Sequence, residues 1–463
     1  MPATVDQRLE AAARLDLSGQ DAAARAAYLA ILLDAPDHAG TLNHLGALLL
    51  RTGYSRAART AFARATLRHP GLPHGHVNLA HLLREDGEAA AARLHYAAAL
   101  RLVPDLPEAH QGMGNVLFDA GDSAGAEQHW RLGYRDRVFA PWPYRGGAAA
   151  PVRVLLLASV RGGNIPAQPL LDPTVFAVTT VALEFFAVGQ ALPPHDVVFN
   201  AAGDADLCRP ALLAAAALLA GTAAPVVNRP EAVLATGRAA NAARLAAVPG
   251  VVVPRLRCWP RAALLAADAA MLLAEAGFGW PLLLRAPGFH TGRHFIRVAA
   301  PADLPGAVAA LPGADLLVIE YIPPQQPDGL ARKYRAMFVD GRILPLHLAI
   351  SRDWKVHYFT AAMADNAAHR AEEQCYLDDM AGHLGARAMA ALAAISLLLG
   401  LDYGGIDFAL AADGSLVLFE ANATMALVPP TAEPIWDYRR PAIAAVREAT
   451  RRMLCHRAGI AGT

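Results

Sequence analysis

Lysine is almost absent from this chain. Its 463 residues include 41 basic side chains, and all but two of these are arginine. The two exceptions, Lys333 and Lys355, lie 22 residues apart. The compact ammonium of lysine is not reproduced by the planar guanidinium of arginine. The placement indicates either a shared functional region or chance, and the sequence leaves both open.

Cysteine is also scarce, and the four cysteines form no CxxC pair. Their wide spacing argues against a disulfide framework and favours a reduced compartment. The N-terminal segment carries acidic residues and has no apolar run, so we expect no secretory signal peptide. Together these features predict a cytoplasmic protein.

Neither sign of charge is in excess, because 41 acidic residues balance the 41 basic ones. That balance gives no indication of a nucleic-acid or membrane-surface partner, and we expect neither. Apolar stretches such as 211–221 are too short to span a bilayer and predict buried helices. The length fits about three domains.

What the sequence does contain is a repeat with a period of 34 residues. The residues that recur are Gly19, Gly53, Gly87 and Gly121; Ala24, Ala58, Ala92 and Ala126; Tyr28, Phe62, Tyr96 and Trp130; and Pro36, Pro70 and Pro104. The glycines suit turns that need a positive φ angle. The alanines allow close helix packing, the aromatic rings fill the gap between repeats, and the prolines end each unit.

This period and pattern resemble the tetratricopeptide repeat (TPR) family over residues 5–138, in four repeats. Val138 stands where a fourth proline is expected, which suits a terminal repeat. The resemblance implies an all-α solenoid over 1–138 with a concave binding face. We expect it to recruit a peptide, a protein or a carrier-bound substrate. A spacer or a homodimer contact is the alternative.

Beyond the repeats the sequence pattern changes. Residues 139–151, rich in Pro, Gly and Ala, predict a linker. Apolar runs at 152–159, 195–203 and 225–228, with helices such as 208–220 between them, predict an α/β domain over 152–229. Two further parts are predicted at 230–320 and 321–463. The second contains hairpins with turns at Asp340-Gly341 and Asp413-Gly414, a helix at 382–400 and a C-terminal helix.

The last predicted hairpin carries three oxygen-bearing side chains, Asp407, Glu420 and Asn422. Strand alternation puts Glu420 and Asn422 on one face, and Asp407 can lie opposite them. Such a group suits Mg²⁺, which takes one or two carboxylates and fills its other positions with water and phosphate. A solvated hairpin face is the alternative, but these strands are otherwise apolar, where unpaired acids are costly.

At this point the sequence resembles the ATP-grasp superfamily, over residues 152–440. It is most similar to the branch that contains D-alanine–D-alanine ligase and the RimK-like glutamate ligases. In that family an Asp and a Glu-x-Asn motif bind two Mg²⁺ ions on the nucleotide phosphates, and Asp407, Glu420 and Asn422 match it. The resemblance implies an α/β (α+β) ATP-grasp fold after the solenoid.

The resemblance also implies which residues meet the nucleotide. The LVIEYI stretch looks like the family's hinge strand, which puts Glu320, Tyr321 and Ile322 near the adenine. Asp328 is a candidate for the ribose hydroxyls. The basic residues implied near the phosphates are Arg238 and Arg285, together with Lys333 or Lys355.

Three departures from the family pattern stand out. Arg285 occupies the place of a lysine. The glycine loop keeps Gly288 and Gly292 but carries the bulkier Phe289, His290 and Arg293. Gly405 replaces the arginine that D-alanine–D-alanine ligases have two residues before the metal Asp, which argues against that product.

Some further residues are weaker candidates for the site. His290 and His294 flank the glycine loop, with a surface position as the alternative. His347, Trp354 and His357 could face the acceptor substrate, and Asn164 follows a strand whose end could line a ligand crevice. Packing or a plain turn explains these residues equally well.

The resemblance implies an ATP- and Mg²⁺-dependent ligase that joins a small-molecule carboxylate to an amine or related nucleophile. The reaction would pass through an acyl-phosphate and release ADP and phosphate. A second hypothesis stays open because of the departures. The chain could be a non-catalytic TPR adaptor with a degenerate nucleotide-binding domain.

Overall fold

The computed structural model describes residues 3–147, 150–287, 294–324, 326–356, 361, 363–431 and 433–460. The chain divides into two compact units. The first comprises Met1–Arg161 and Leu171–Val198, and the second comprises Gly162–Leu170 and Phe199–Thr463.

The first unit begins with eight consecutive helices. They are α1 (Val5–Leu17), α2 (Asp21–Asp34), α3 (Ala39–Arg51), α4 (Ser55–Arg68), α5 (Pro73–Glu85), α6 (Ala89–Leu102), α7 (Pro107–Asp119) and α8 (Ser123–Tyr134). Each successive pair packs together and forms one repeat, and neighbouring repeats are also in contact. The predicted array of four helix–turn–helix repeats is therefore confirmed.

The periodic residues occupy the places that their chemistry predicts. The four turn glycines have φ angles between 75° and 88°, which glycine adopts without a steric cost. The four periodic alanines are buried, as are the rings of Tyr28, Phe62, Tyr96 and Trp130. Gly46 faces one of these rings, and a Cβ there would lie 2.5 Å from Phe62. Small residues at such positions let the two helices of a repeat approach closely.

Three strands follow the repeats in the first unit: β1 (Phe139–Pro141), β2 (Val152–Ala158) and β3 (Phe176–Ala182). β1 pairs antiparallel with β3, and β3 pairs parallel with β2. The predicted linker 139–151 thus begins as a strand. Three residues ending in proline carry too little pattern to predict one. β3 was also not predicted, because its threonines interrupt the apolar run.

These strands share a compact unit with the repeats. Arg145, beyond β1, lies 3.5 Å from Asp16 in the first repeat. The ring of Tyr134, in α8, stacks on Phe185 with centroids 5.3 Å apart. Contacts across such sequence distances leave no local pattern in the sequence.

The strand β4 (Val197–Asn200) leads from the first unit into the second. The second unit continues with α9 (Arg209–Leu219), β5 (Val226–Val227), α10 (Pro230–Leu234), α11 (Arg238–Leu245) and β6 (Val251–Val252). Asn228, just after β5, donates from its side chain to the Tyr403 carbonyl at 2.8 Å and accepts from the Tyr403 amide at 2.9 Å. This exchange fixes β5 to the sheet that carries the candidate site.

A four-stranded antiparallel sheet forms the middle of the second unit. Its strands are β7 (Leu256–Pro260), β8 (Leu282–Arg285), β9 (Phe295–Val298) and β10 (Asp315–Glu320), in the order β7-β10-β8-β9. Three short helices accompany it: α12 (Arg261–Leu264), α13 (Ala269–Glu275) and α14 (Leu304–Ala309). Leu273, Leu284, Val308 and Leu316 belong to the shared apolar core.

A five-stranded sheet completes the second unit. Its further strands are β11 (Ala331–Val339), β12 (Arg342–Ser351), β13 (Tyr403–Leu410) and β14 (Leu416–Asn422), in the order β12-β11-β13-β14-β6. The helices α15 (Ala367–Asp378), α16 (Met380–Leu399) and α17 (Arg440–Arg457) pack on it. Asp340 and Gly341 both have positive φ angles, 48° and 75°, as the predicted hairpin turn requires.

Within the described ranges, α16 alone is long and apolar enough to cross a bilayer by length and composition. Its buried residues recur every three or four positions, and the helix contacts β12, β13 and β14. Gly385 interrupts it with non-helical backbone angles, φ 81° and ψ 166°. Periodic burial against a sheet is typical of a core helix.

Candidate functional site

The hairpin of β13 and β14 brings Asp407, Glu420 and Asn422 together. Asp407 pairs with Glu420 across the two antiparallel strands, and Gly405 pairs with Asn422. The Asn422 side-chain amide donates to Glu420 Oε1 at 2.8 Å. Directly opposed residues project from the same face of a sheet. The three side chains therefore share one face, as strand alternation predicted.

The neighbouring strand β11 adds two cations to this face. Arg335 pairs with Asp407 across the strands, and its Nε and Nη2 donate to the two Asp407 carboxylate oxygens at 2.6 and 2.8 Å. Lys333 Nζ lies 2.6 Å from Asp407 Oδ2. The sequence nominated Lys333 but not Arg335, although the K-x-R spacing, which puts both side chains on one face of a strand, was the available signal.

Asp407 is 1 % exposed. Burial on its own raises the pKa of a carboxyl group, but the charges of Arg335 and Lys333 and the hydrogen bonds from Arg335 outweigh it here. They hold the pKa of Asp407 well below its usual range. Asp407 is therefore ionised throughout the neutral range.

Glu420 faces a second pair of cations. Arg238, the first residue of α11, donates to Glu420 Oε1 at 3.0 Å. Asn241 on the same helix donates to the Ala421 carbonyl at 2.7 Å and so ties α11 to β14. Burial lowers the pKa of Arg285, at the end of β8, to about 10, and the charge of Arg238 acts in the same direction. Two crowded guanidinium groups favour an anionic ligand.

All of these groups line one cavity of about 420 Å³ in the second unit. Its cations are Arg238, Arg285, Lys333, Arg335, Lys355 and Arg439, and its carboxylates are Glu320, Asp407 and Glu420. Among the described residues of the wall, the six cations and three carboxylates give a formal charge of +3. Burial and the charge of Arg335 hold the pKa of His347 well below its usual value, so this imidazole adds no charge at neutral pH.

Both lysines of the chain line the cavity, and Arg285, nominated in place of the family lysine, lines it too. Lys355 Nζ lies 5.9 Å from the Phe295 ring centroid and 3.4 Å from the Phe295 carbonyl oxygen. Burial lowers the pKa of Lys355, and the charge of Arg285 lowers it further. If the two lysines were placed by chance, we would not expect both to line the same cavity.

The predicted hinge strand ends at the cavity wall. Glu320, Tyr321 and Ile322 line the cavity. The Glu320 carboxylate accepts from the Arg255 backbone amide at 2.9 Å, which fixes the end of β10. Asp328 does not belong to the cavity lining. It pairs with Arg332 at 2.7 Å, and its own side chain is 45 % exposed.

An aromatic cluster borders the cavity. The rings of Phe295 and Trp354 lie 5.5 Å apart, and those of Tyr321 and Trp354 lie 6.1 Å apart, in both cases edge to face. The cluster joins β9 to the segment after β12. Leu283, Ile319 and Leu418 also line the cavity. An apolar wall beside a cationic one suits a ligand with a flat ring and an anionic tail.

The remaining candidates divide into three groups. Asn164, His347 and Trp354 line the cavity. His294 does not belong to the cavity lining. The residues Gly288, Phe289, His290, Gly292, Arg293 and His357 lie outside the described residues, so their predicted roles stay predictions.

The donor set can be compared with what Mg²⁺ requires. Within the described part of the chain, no group of three or more His, Cys, Asp or Glu side chains is arranged to hold a metal ion. Two carboxylates and an amide oxygen fit Mg²⁺ in kind when phosphate and water complete the shell. Lys333 and Arg335 already form ion pairs with the Asp407 carboxylate. Mg²⁺ would therefore enter together with an anion that draws these cations away.

Known proteins resemble this chain only distantly. No protein-family model matches the chain, and no curated protein matches it. A crystal structure of MamA matches with 17% identity over 28% of this chain and 77% of that chain, at a TM-score of 0.27. MamA from Desulfovibrio magneticus RS-1 matches with 18% identity over 29% of this chain and 77% of that one, also at 0.27.

A ligase structure matches more of the chain. The VanG D-Ala:D-Ser ligase from Enterococcus faecalis has 14% identity over 67% of this chain and 100% of that chain, at a TM-score of 0.42. At such scores the similarities assign no function. The function has to be inferred from the cavity itself.

Proposed function

We propose that the second unit is an ATP-grasp ligase that uses ATP and Mg²⁺ to activate a carboxylate for attack by an amine or a related nucleophile. One observation carries the proposal. Asp407 and Glu420 lie opposite each other on adjacent strands, in a cavity that also holds six cations and the end of β10. A purely structural ion-pair network needs neither a cavity nor an excess of three positive charges.

The charge and shape of the wall support a nucleoside triphosphate as ligand. Arg238, Arg285, Lys333 and Lys355 can pair with phosphate oxygens. Leu283, Ile319 and Leu418 offer an apolar surface to a base. The backbone N–H and C=O groups of the residues after Glu320 are available to the polar edge of that base. Phosphoryl transfer depends mainly on such positioning and charge neutralisation.

Asp407, Glu420 and Asn422 are the residues that would hold Mg²⁺. When bound, the ion neutralises phosphate charge and orients the transferring group. Asn422 Oδ1 accepts from the Thr424 amide and hydroxyl, both at 3.0 Å. These two hydrogen bonds fix the end of β14, which carries Glu420 and Asn422.

The proposed reaction has two steps. A carboxylate oxygen of the substrate attacks the γ-phosphorus of ATP, the bond to the bridging oxygen breaks, and ADP leaves. The nucleophile then attacks the carbonyl carbon of the acyl-phosphate, phosphate leaves, and the nucleophile loses a proton. Lys333 and Arg238 stabilise the charge that develops on the phosphates, and the Phe295–Trp354–Tyr321 cluster limits access of water.

The repeats suggest how a substrate reaches this site. We propose that the solenoid recruits a peptide, a protein or a carrier-bound substrate, as its four stacked repeats support. The four cysteines are free thiols, which is compatible with the proposed cytoplasmic location. A homodimer contact through the repeats is the competing proposal.

ADP release in the presence of panels of carboxylates and amines tests the ligase proposal. Wild type should release ADP with at least one pair, and Glu420→Ala should abolish the release. Glu275→Ala, on an exposed part of α13, is the matched control and should behave as wild type. Nucleotide binding without ADP release from any pair would favour the adaptor hypothesis.

A further inference from the structure

The strand that carries Glu420 and Asn422 loses its outer partner shortly before it reaches them. β6 has two residues and pairs with β14 only at Leu416 and Val417. None of the described strands continues along this edge beside the rest of β14. A backbone carbonyl that points outward there therefore needs a donor from another part of the fold.

The pairing of β14 with β13 is also irregular at this point. Asp407 pairs with Glu420, whereas the next residue of β13, Phe408, pairs with Leu418. Phe419 is thus an extra residue on β14, which makes a β-bulge. A bulge bends its strand, re-aims the neighbouring side chains and interrupts the regular ladder of hydrogen bonds. The position of Glu420 therefore depends on contacts from outside the sheet.

The helix α11 supplies such contacts from one of its faces. Asn241 donates from its side-chain amide to the Ala421 carbonyl at 2.7 Å. Arg238, three residues earlier and so on the same face, donates to Glu420 Oε1 at 3.0 Å. The Ala421 carbonyl belongs to the peptide group that joins Ala421 to Asn422. Asn241 thus holds the backbone between the two side chains of β14 that are proposed to hold Mg²⁺.

The orientation of the Asn241 side chain follows from this contact. A carbonyl only accepts, so the amide nitrogen of Asn241 faces Ala421 and its Oδ1 faces away. Asn241 is 3 % exposed, and among the described residues its Oδ1 has no hydrogen-bond partner. A buried oxygen without a partner is destabilising, and an apolar side chain would avoid it. The presence of asparagine here therefore favours a role for the bond to Ala421 beyond stability.

We propose that Asn241 is a positioning residue of the Mg²⁺ site. It holds the Ala421 carbonyl and thereby keeps Glu420 and Asn422 in the orientation in which both face the ion. This inference rests on the proposed function, because it requires that these two residues hold Mg²⁺. The loss of an outer contact that orients a metal ligand commonly weakens metal binding by about 10–100-fold. Asn241 thus sets the Mg²⁺ concentration that the site requires.

Asn241→Leu tests this role, because leucine has a similar volume and cannot donate a hydrogen bond. The full chain is titrated with Mg²⁺ at a fixed, saturating concentration of a non-hydrolysable ATP analogue, and the unfolding temperature is followed. The Mg²⁺ concentration that gives half of the Mg²⁺-dependent shift should rise about tenfold or more in the variant. The shift given by the analogue without Mg²⁺ should stay that of wild type. An unchanged Mg²⁺ requirement would overturn the proposal.

Asn228→Gly is the matched control. Asn228 is another buried asparagine that donates to a carbonyl of this sheet, that of Tyr403 at 2.8 Å. Its φ angle is 57°, which glycine adopts without strain. The control should lower the unfolding temperature and keep the wild-type Mg²⁺ requirement. An equal rise of that requirement in the control would show a general loosening of the sheet and would contradict the role of Asn241.

A second variant removes the dependence of the test on one substitution. Asn241→Ser has a hydroxyl too short to replace the amide, so it should raise the Mg²⁺ requirement as Asn241→Leu does, and it serves alone if the leucine variant does not fold. A wild-type chain that shows no Mg²⁺-dependent shift would instead contradict the proposed function, and the role of Asn241 with it.

Discussion

Asp407 and Glu420 are neighbours across two strands, yet their surroundings differ. The side chain of Asp407 is 1 % exposed and touches two cations, whereas that of Glu420 is 25 % exposed and touches Arg238. Buried charges depend on their partners far more than exposed ones do. The two carboxylates should therefore contribute to stability very differently, although both belong to the same proposed site.

Asp407→Asn should lower the free energy of unfolding by about 3–5 kcal/mol, because it leaves Lys333 and Arg335 without their counter-ion. Glu420→Ala should change it by about 1 kcal/mol or less. Urea unfolding measures both. Because the pKa of Asp407 is depressed in the folded state, its contribution is complete above the unfolded pKa and is lost only at more acidic pH. The loss of unfolding free energy in Asp407→Asn should thus be the same at pH 8 and pH 6. Equal losses in Asp407→Asn and Glu420→Ala would contradict the prediction.

At the residue scale the sequence predicted those groups that follow from alternation along one strand. Glu420 and Asn422 are two positions apart, and their shared face follows directly. Arg335 was missed because its contact with Asp407 depends on the register between β11 and β13. Asn241 was missed because its contact with β14 joins residues 180 positions apart and forms only through tertiary packing.

At the scale of the element, two histidine pairs recur in the last two repeats. Nδ1 of His76 lies 3.0 Å from Nδ1 of His95, and the same atoms of His110 and His129 lie 2.8 Å apart. Nε2 of His76 and of His110 lies within hydrogen-bond distance of a proline carbonyl oxygen. A carbonyl only accepts, so Nε2 of His76 and of His110 donates to it, Nδ1 of the same two rings accepts, and Nδ1 of His95 and of His129 donates. The Nδ1 hydrogen bond of a pair is lost when both of its rings are protonated.

The pairs should make the stability of the chain depend on pH. Burial lowers the pKa values of His95 and His129, and the facing histidine lowers each further. The unfolded chain then binds more protons, so this stability is present above about pH 6.5 and is lost as the pH falls through the folded pKa values. The unfolding temperature, followed by circular dichroism, should decrease from pH 8 to pH 5.

The variant His95→Asn/His129→Asn can still donate to the partner ring but does not titrate, so its unfolding temperature should fall less over the same range. His74→Asn removes an exposed histidine outside the pairs and should keep the wild-type dependence. A double variant with the wild-type dependence would contradict the role of the pairs.

Elements with a period of their own were predicted, and those without one were not. The eight helices follow from the 34-residue repeat, and the β11–β12 hairpin follows from its Asp-Gly turn. β1 has three residues and β3 mixes apolar residues with threonines. Both depend on pairing with distant segments, which local patterns do not record.

At the scale of the whole molecule, the net charge of the chain is zero, while the described residues of the cavity wall carry +3. The cavity therefore repels a free divalent cation and attracts a polyphosphate. Mg²⁺ and nucleotide should bind together. The phosphates offset the positive charge of the wall that repels Mg²⁺, and Mg²⁺ offsets the negative charge of the phosphates beside Asp407 and Glu420.

Thermal unfolding with Mg²⁺ alone, a non-hydrolysable ATP analogue alone, and both together measures this coupling. Mg²⁺ alone should give no shift, and the combination should exceed the analogue alone. Saturation at about 100 times the dissociation constant adds roughly 2.7 kcal/mol of stability. Glu420→Ala should remove the Mg²⁺-dependent part. A shift with Mg²⁺ alone as large as that with both would contradict the charge argument.

The scarcity of lysine also makes this cavity directly observable by spectroscopy. Because Lys333 and Lys355 are the chain's two lysines and both line the cavity, growth on isotope-labelled lysine would place both NMR signals of the label there. One of these ammonium groups lies beside a carboxylate and the other beside an aromatic ring, so the two signals would be distinguishable. Nucleotide and substrate could then be followed entering the site without any engineered probe.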